Sequence, residues 1–200
     1  MSKVIVSLSM SLDGFIAGPN DGPTNPLGDG GARLFDWWSA GTELLGDDPR
    51  FKPPARSVAA VRKLFHAGAV ITGRRTFDIA NGWGGHRPTG APFFLLTHNP
   101  PRQWVGPGTG GTVVTGGIES ALEQARAVAN GRDIGVSAAS VARQFLNAGL
   151  LDEIQIHLVP ILLGGGVKLF DQLETPPYEL KFTEVVESDG VTHLTYRVVN

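Results

Sequence analysis

Short apolar runs alternate with stripes of apolar residues at helical spacing along most of this chain, and the alternation stops only near its end. Val4, Val6, Leu8 and Met10 alternate with Ile5, Ser7 and Ser9, which predicts an opening strand that halts at the turn dipeptide Asp13-Gly14. Further strands are expected over Ala69 to Thr72, Pro92 to Thr97, Thr112 to Thr115, Asp133 to Val136 and Glu153 to Val159. Leu34 to Trp38 suggests a short helix, and Val58, Val61, Leu64 and Phe65 form a stripe behind Ser57 as the expected N-cap. A helix from Arg74 to Ala80 should end at Asn81-Gly82. Ile118, Ala121, Leu122, Ala125 and Ala129 make one amphipathic face, and Val141, Ala142, Phe145 and Leu146 another within Ala138 to Leu146. Glu179 to Val186 and Val191 to Val199 flank Asp189-Gly190, a strong hairpin signal. This order predicts an α/β protein: a three-layer αβα arrangement around a mostly parallel mixed sheet, closed by an antiparallel C-terminal hairpin.

Glycine and proline mark what lies between these elements. The chain has 27 Gly and 14 Pro in 200 residues, concentrated in Gly18 to Pro54, Asn81 to Pro92 and Asn99 to Gly111. Loops this long in a compact fold are commonly functional. No flanking segment could build a core alone, so residues 1–200 are expected to form one domain. A formal charge of −2 offers no basic stripe for a phosphate backbone, which argues against nucleic acid as a partner. The absence of cysteine removes thiol catalysis, disulfides and Cys-ligated metals. No apolar run approaches a membrane span, and the first strand leaves no room for a secretory leader, so a cytoplasmic protein without membrane contact is expected.

Ligands of open α/β sheets bind at the carboxyl ends of strands, which singles out three junctions. Ile71-Thr72-Gly73-Arg74-Arg75-Thr76 places a glycine, two guanidinium groups and a hydroxyl at a helix start, a combination suited to phosphate. The alternative is that Thr76 helps cap the helix and both arginines are merely solvated. Val136-Ser137-Ala138-Ala139-Ser140 again leads a strand into a helix, with small side chains that would let a ligand approach the backbone. Leu96-Thr97-His98-Asn99 could line an adenosine moiety or simply begin the Asn-Pro-Pro turn.

Other patterns carry less. Gly135 to Ala139 falls one residue short of a nucleophile elbow, with Asp189 and His193 following in hydrolase order. No oxyanion segment accompanies it, and His193 reads as an exposed strand residue. Gly106 to Gly111 matches G-x-G-x-x-G but precedes a strand, so it is a loop. Leu162-Leu163-Gly164-Gly165-Gly166 suggests a turn or a close backbone approach. The histidines never fall at i, i+4, so a local metal site is not expected. Of Trp37 and Trp38, one should pack in the core, leaving the other and Asp36 to border a cleft.

Together, Ser11-Leu12-Asp13-Gly14-Phe15-Ile16-Ala17, Thr72 to Phe77, and the block from Ala148 to Phe170 resemble the dihydrofolate-reductase-like domains. The specific likeness is to the reductase domain of bifunctional riboflavin-biosynthesis deaminase-reductases and its stand-alone bacterial relatives. The resemblance implies an NADPH cofactor and a homodimer. It puts the nicotinamide near Ser9, Ile16 and Ala17 and the pyrophosphate at Gly73 to Thr76, with Arg74 or Arg75 near the 2′-phosphate. Thr97 and His98 would border the adenosine, and Ser137, Ala138, Ala139, Ser140 and Val141 would cover the diphosphate and nicotinamide ribose.

Two departures matter. Relatives carry Gly-Gly or Glu-x-Gly where this chain has Val136-Ser137-Ala138-Ala139, so methyl groups are expected where phosphate would meet backbone. The substrate-binding glutamate of the riboflavin reductases falls on Val136, which argues against their ribosylaminopyrimidine phosphate as substrate. With no zinc deaminase segment in this sequence, a pathway role is expected to need a separate partner. Hydride transfer needs positioning, a dry pocket and a proton for the neighbouring heteroatom. Asp36, beside two indoles, is the candidate catalytic proton donor or substrate anchor. The expected function is NADPH-dependent reduction of a small heterocyclic or C=N/C=O substrate, pterin- or aminopyrimidine-like. The alternative is a non-enzymatic binding protein with a weakened cofactor site.

Overall fold

The computed structural model describes residues 2–46 and 48–199. Its main sheet begins with β1 (Val4–Ser11) and continues through β3 (Ala69–Gly73), β4 (Phe93–Leu96), β5 (Gly111–Val114), β6 (Ile134–Val136) and β7 (Glu153–Val159). These strands pair in parallel, and the hairpin of β9 (Leu180–Ser188) and β10 (Val191–Val198) adds antiparallel to β7. The eight strands run in the order β5-β4-β3-β6-β1-β7-β10-β9. A small second sheet pairs β2 (Phe15–Ala17) with β8 (Val167–Lys168).

Strand parity divides the core. In β3, Ile71 faces one layer with α3 (Gly117–Val128) and α4 (Ala139–Asn147), where Val6, Val136, Ala121, Phe145 and Ile154 are buried. Val70 faces the other side, packing with Phe93, Leu95 and Phe77 of α2 (Arg74–Ile79). Farther along that second face, Leu34 and Trp37 from the 3-10 helix Gly31–Ser39 meet Val61 of α1 (Val58–Phe65) and Val191. The αβα layering and the terminal hairpin therefore match the sequence reading.

Several local readings also hold. Asn81 and Gly82 stop α2 with φ of 48° and 57°, and Gly190 turns the hairpin at φ 74°. The glycine block after β7 reflects a close approach: a Cβ on Gly166 would stand 2.0 Å from the Ala17 carbonyl oxygen, and its φ is +118°. Asp13 holds this loop by accepting from the Leu163 and Gly164 amides at 3.1 and 2.7 Å.

Others need correction. Ser57 does occupy the N-cap position of α1, at the end of a 3-10 turn (Ala55–Ser57), but its side chain makes no capping hydrogen bond. Its hydroxyl instead bonds Ser188 and His193, at 2.8 Å each. Thr76 does not cap α2 either. His193 is buried at 3% exposure, because Val191, His193 and Thr195 alternate onto the covered face of β10.

Candidate functional site

The carboxyl ends of β3, β4, β5 and β6 lie side by side and enclose a groove of about 300 Å³. Gly73, Arg74 and Arg75 form one wall, with Leu96, Thr97 and His98 beside them. Thr115 and Gly117 enter from the start of α3, and Ser140, Val141 and Gln144 from α4. Gly73 lets these elements approach: a Cβ there would stand 3.2 Å from Val141 Cγ2 and 3.5 Å from Ser140 Oγ.

Both guanidinium groups border the groove and are already oriented. Arg74 Nε donates to Asp78 at 2.8 and 2.9 Å, and its Nη1 donates to the Asn99 carbonyl. Arg75 forms a two-point ion pair with Asp21, Nε to Oδ2 being 3.0 Å. Thr97 Oγ1 is engaged by its own turn, accepting from the Asn99 amide at 3.1 Å. No side chain caps α3 or α4. The starts of both helices therefore border the groove with amides that no capping side chain claims and that carry partial positive charge. An anionic ligand suits this lining. The six-residue α2, on which the sequence reading centred the anion, contributes its arginines more than its dipole.

The structure thus brings Gly73, Arg74, Arg75, Thr97, His98, Ser140 and Val141 together. Thr76 is half-buried and lies outside this lining. Ala138 and Ala139 are 4% and 6% exposed and pack in the core with Val141. Their methyl groups therefore do not obstruct the groove. Ala138, at φ −150° and ψ 136°, adopts a conformation open to any residue. Val136, 2% exposed, packs in the same core cluster on the helix side. Missed in the sequence were Thr115, Gly117 and Gln144. The signal was present: Thr115-Gly116-Gly117 is a fourth strand-to-helix junction, with Gly117 at φ +89°.

A second polar region lies on the opposite face. Ile71 and Val6 both pair with Val136, so the residues that follow them in parallel strands, Thr72, Ser137 and Ser7, share one face. Arg87 Nη1 donates to Ser137 Oγ at 3.2 Å, and its guanidinium lies 4.5 Å from the Trp83 ring. Burial alone pushes the Arg87 pKa down to about 10. Its Nε and the buried Thr72 hydroxyl have no hydrogen-bond partner among the described residues. A half-buried guanidinium with an unpartnered buried Nε, beside a buried hydroxyl left the same way, suits a polar or anionic ligand group.

Ser9 lies farther along this face, accepting from Trp37 Nε1 at 3.3 Å. Ile16 and Ala17 sit on β2, half-buried and buried, and do not line the groove. Asp36 does not occupy a niche between indoles. Trp37 turns inward with Trp38, ring centroids 4.8 Å apart, whereas Asp36 is exposed. The hydrolase arrangement is not assembled either: Ser137 pairs with Arg87, and His193 with His157 and Ser57. Among the described residues, no cluster suited to a metal occurs, and no helix is long and apolar enough to cross a membrane.

Solved structures with the same fold support this frame. A Shewanella sp. PV-4 protein provisionally described as a riboflavin biosynthesis protein aligns over 100% of both chains, with TM-score 0.69 and 24% identity. A pyrimidine reductase-like protein of Corynebacterium diphtheriae covers 100% of this chain and 92% of its own, at TM-score 0.60 and 15% identity. Acinetobacter baumannii RibD matches 100% of this chain with 58% of its own, at TM-score 0.60 and 18% identity. No curated protein shows significant similarity. The family model for the RibD C-terminal domain matches residues 2–194, and the chain belongs to that family.

Proposed function

We propose that this protein is an NADPH-dependent reductase of a small heterocyclic or C=N/C=O substrate, pterin- or aminopyrimidine-like. Family membership supports an oxidoreductase of the pyrimidine-reductase type. The observation that carries the cofactor is the pair of guanidinium groups at the β3–α2 junction, facing a groove into which two uncapped helices open. Arg74 and Arg75 would hold phosphate, the amides of α4 the diphosphate, and Thr97 and His98 the adenosine side. When bound, a reduced nicotinamide supplies a hydride to an electrophilic carbon.

The remaining work falls to the polar face beside β1. Arg87, Thr72 and Ser137 would orient the substrate by its polar or anionic edge, and Trp37 and Trp38 would exclude water. A carboxylate is not among these groups, which keeps the ribosylaminopyrimidine phosphate of the riboflavin reductases a poor fit. A homodimer accompanies this reading, supported by the edge strand β9, where Leu180, Phe182 and Val185 are exposed.

Fluorescence titration with NADPH and NADP+ tests the proposal. Arg74→Ala and Arg75→Ala should each weaken NADPH roughly tenfold, the scale of one charge-assisted contact at a partly exposed site. The preference over NADH should shrink for whichever arginine holds the 2′-phosphate. No binding by the wild type at high micromolar cofactor would refute it.

A further inference from the structure

Beneath Trp37, a continuous line of hydrogen-bonded side chains crosses the sheet from its outer edge to β1. Ser188 and Ser57 are joined through their hydroxyls at 2.8 Å. Ser57 Oγ meets His193 Nε2 at 2.8 Å, and His193 Nδ1 meets His157 Nδ1 at 2.7 Å. His157 Nε2 ends the line on Ser7 Oγ at 3.0 Å. The antiparallel register sets the two histidines directly opposite each other, and Ser7 lies one strand from Ser137 on the polar face.

The bonding has an unusual property. Two neutral imidazoles joined Nδ1 to Nδ1 share a single hydrogen, so one ring must donate and the other accept. If His193 donates there, its Nε2 accepts from Ser57, and His157 Nε2 donates to Ser7. If His157 donates there, every bond reverses, and Ser57 donates to Ser188. Both patterns satisfy every atom in the line, with the same number of bonds. Burial keeps both rings neutral, lowering His157 to about 3 and His193 to about 4. Glu184, on β9, favours a charge on His193 but is already paired with Lys63 of α1 at 3.0 Å. Trp37 closes the top, its ring centroid 5.2 and 5.1 Å from the two imidazoles.

We propose that Ser188, Ser57, His193, His157 and Ser7 form a proton relay of reversible polarity that lends a proton to the substrate side of β1. Its catalytic use rests on the reductase reading. There, the hydride forms the new C–H bond with both electrons, and the substrate heteroatom takes the hydroxyl proton of Ser7. Ser7 is refilled from His157 Nε2, and each hydrogen behind it moves one bond inward. Ser188 takes up one proton from solvent at the outer edge. After product release, the reverse movement from cleft water outward restores the starting polarity. No electrons pass along the line; the forward pass takes in one proton at Ser188 for the one lent at Ser7, and the reset takes one from cleft water at Ser7 and releases one at Ser188.

Imidazole nitrogen NMR on the full chain, without cofactor, tests the relay separately from the cofactor reading. In the wild type, both nitrogens of each ring should resonate between the protonated and unprotonated positions, because the two polarities exchange. Ser57→Ala removes the partner of His193 Nε2, which favours leaving that nitrogen bare. His157, beyond the other ring, should then become fixed with its proton on Nε2. Ser7→Ala should drive the opposite pattern and fix the His193 proton on Nε2. Opposite displacements at the distant ring are not expected of side chains that only fill space. Fixed tautomers in the wild type, or a distant ring unmoved by both folded variants, would overturn the relay. NADPH binding would be unaffected by either result.

Discussion

Lowering the pH from 7 to 4 should destabilise this protein through His157. The ring is 2% exposed, and burial lowers its pKa from 6.5 to about 3. Between those values the unfolded chain binds a proton that the folded one refuses, so stability falls as pH falls through that window. At pH 4 the unfolded form gains about 2.5 pH units of protonation free energy, or about 3 kcal/mol, almost none of which is present at pH 7. That is a large share of a typical stability of about 5–15 kcal/mol. His193, lowered to about 4, acts in the same direction. Asp13 and Asp48 are held near 2 by hydrogen bonds, so their contribution is intact above about pH 4 and is lost only as pH falls toward 2. Urea unfolding at pH 7, 5 and 4, followed by tryptophan fluorescence, measures the effect. In His157→Gln the difference between pH 7 and pH 4 should shrink by about 3 kcal/mol, whatever the substitution costs at pH 7. An unchanged difference would refute the claim that this buried ring must stay neutral for the fold to persist.

Gly166→Ala should prevent stable folding or cost more than about 3 kcal/mol, because its Cβ would collide with the Ala17 carbonyl at 2.0 Å. Gly164→Ala, at φ +72° with open space around it, should cost only about 1–2 kcal/mol, and thermal melts would separate the two. Ala138→Gly should leave NADPH affinity within about twofold while costing about 1 kcal/mol of stability, since its methyl group faces the core. A large gain in affinity would instead support the weakened-site alternative. Phe182→Glu on exposed β9 should shift light scattering from dimer to monomer without altering the circular dichroism spectrum, and a wild-type monomer would remove the dimer proposal.

The sheet was legible because its strands are short, apolar and punctuated by glycine, and because parallel pairing buries both faces. The groove was legible in part for the same reason: Gly73 and Ser140 mark where backbone turns at a strand end, a local property of sequence. Asp36 was misread because its segment forms a 3-10 helix, in which residues three apart share a side. Leu34 and Trp37 therefore point inward together and leave Asp36 outside, whereas adjacency to two tryptophans suggested enclosure. Arg87 was missed because its loop gives no periodic signal, and only the fold sets it against Ser137.

The histidines show the same limit from the other side. Residues 157 and 193 are 36 positions apart, and no spacing rule connects them; the antiparallel register of β7 and β10 does. Once they are paired, the polarity of their environment follows from which face of the sheet they occupy. The helix-covered face beside α3 and α4 is apolar from Val4 to Val198. The other face carries Ser7, Ser9, Thr72, His157 and His193, buried polar groups that a purely structural layer would have little reason to bury, and the half-buried Ser137. Burying one such group needs only one partner. A connected set that runs from the hairpin edge to the floor beside Arg87 requires several strands to agree in parity, and the proposed relay rests on that agreement.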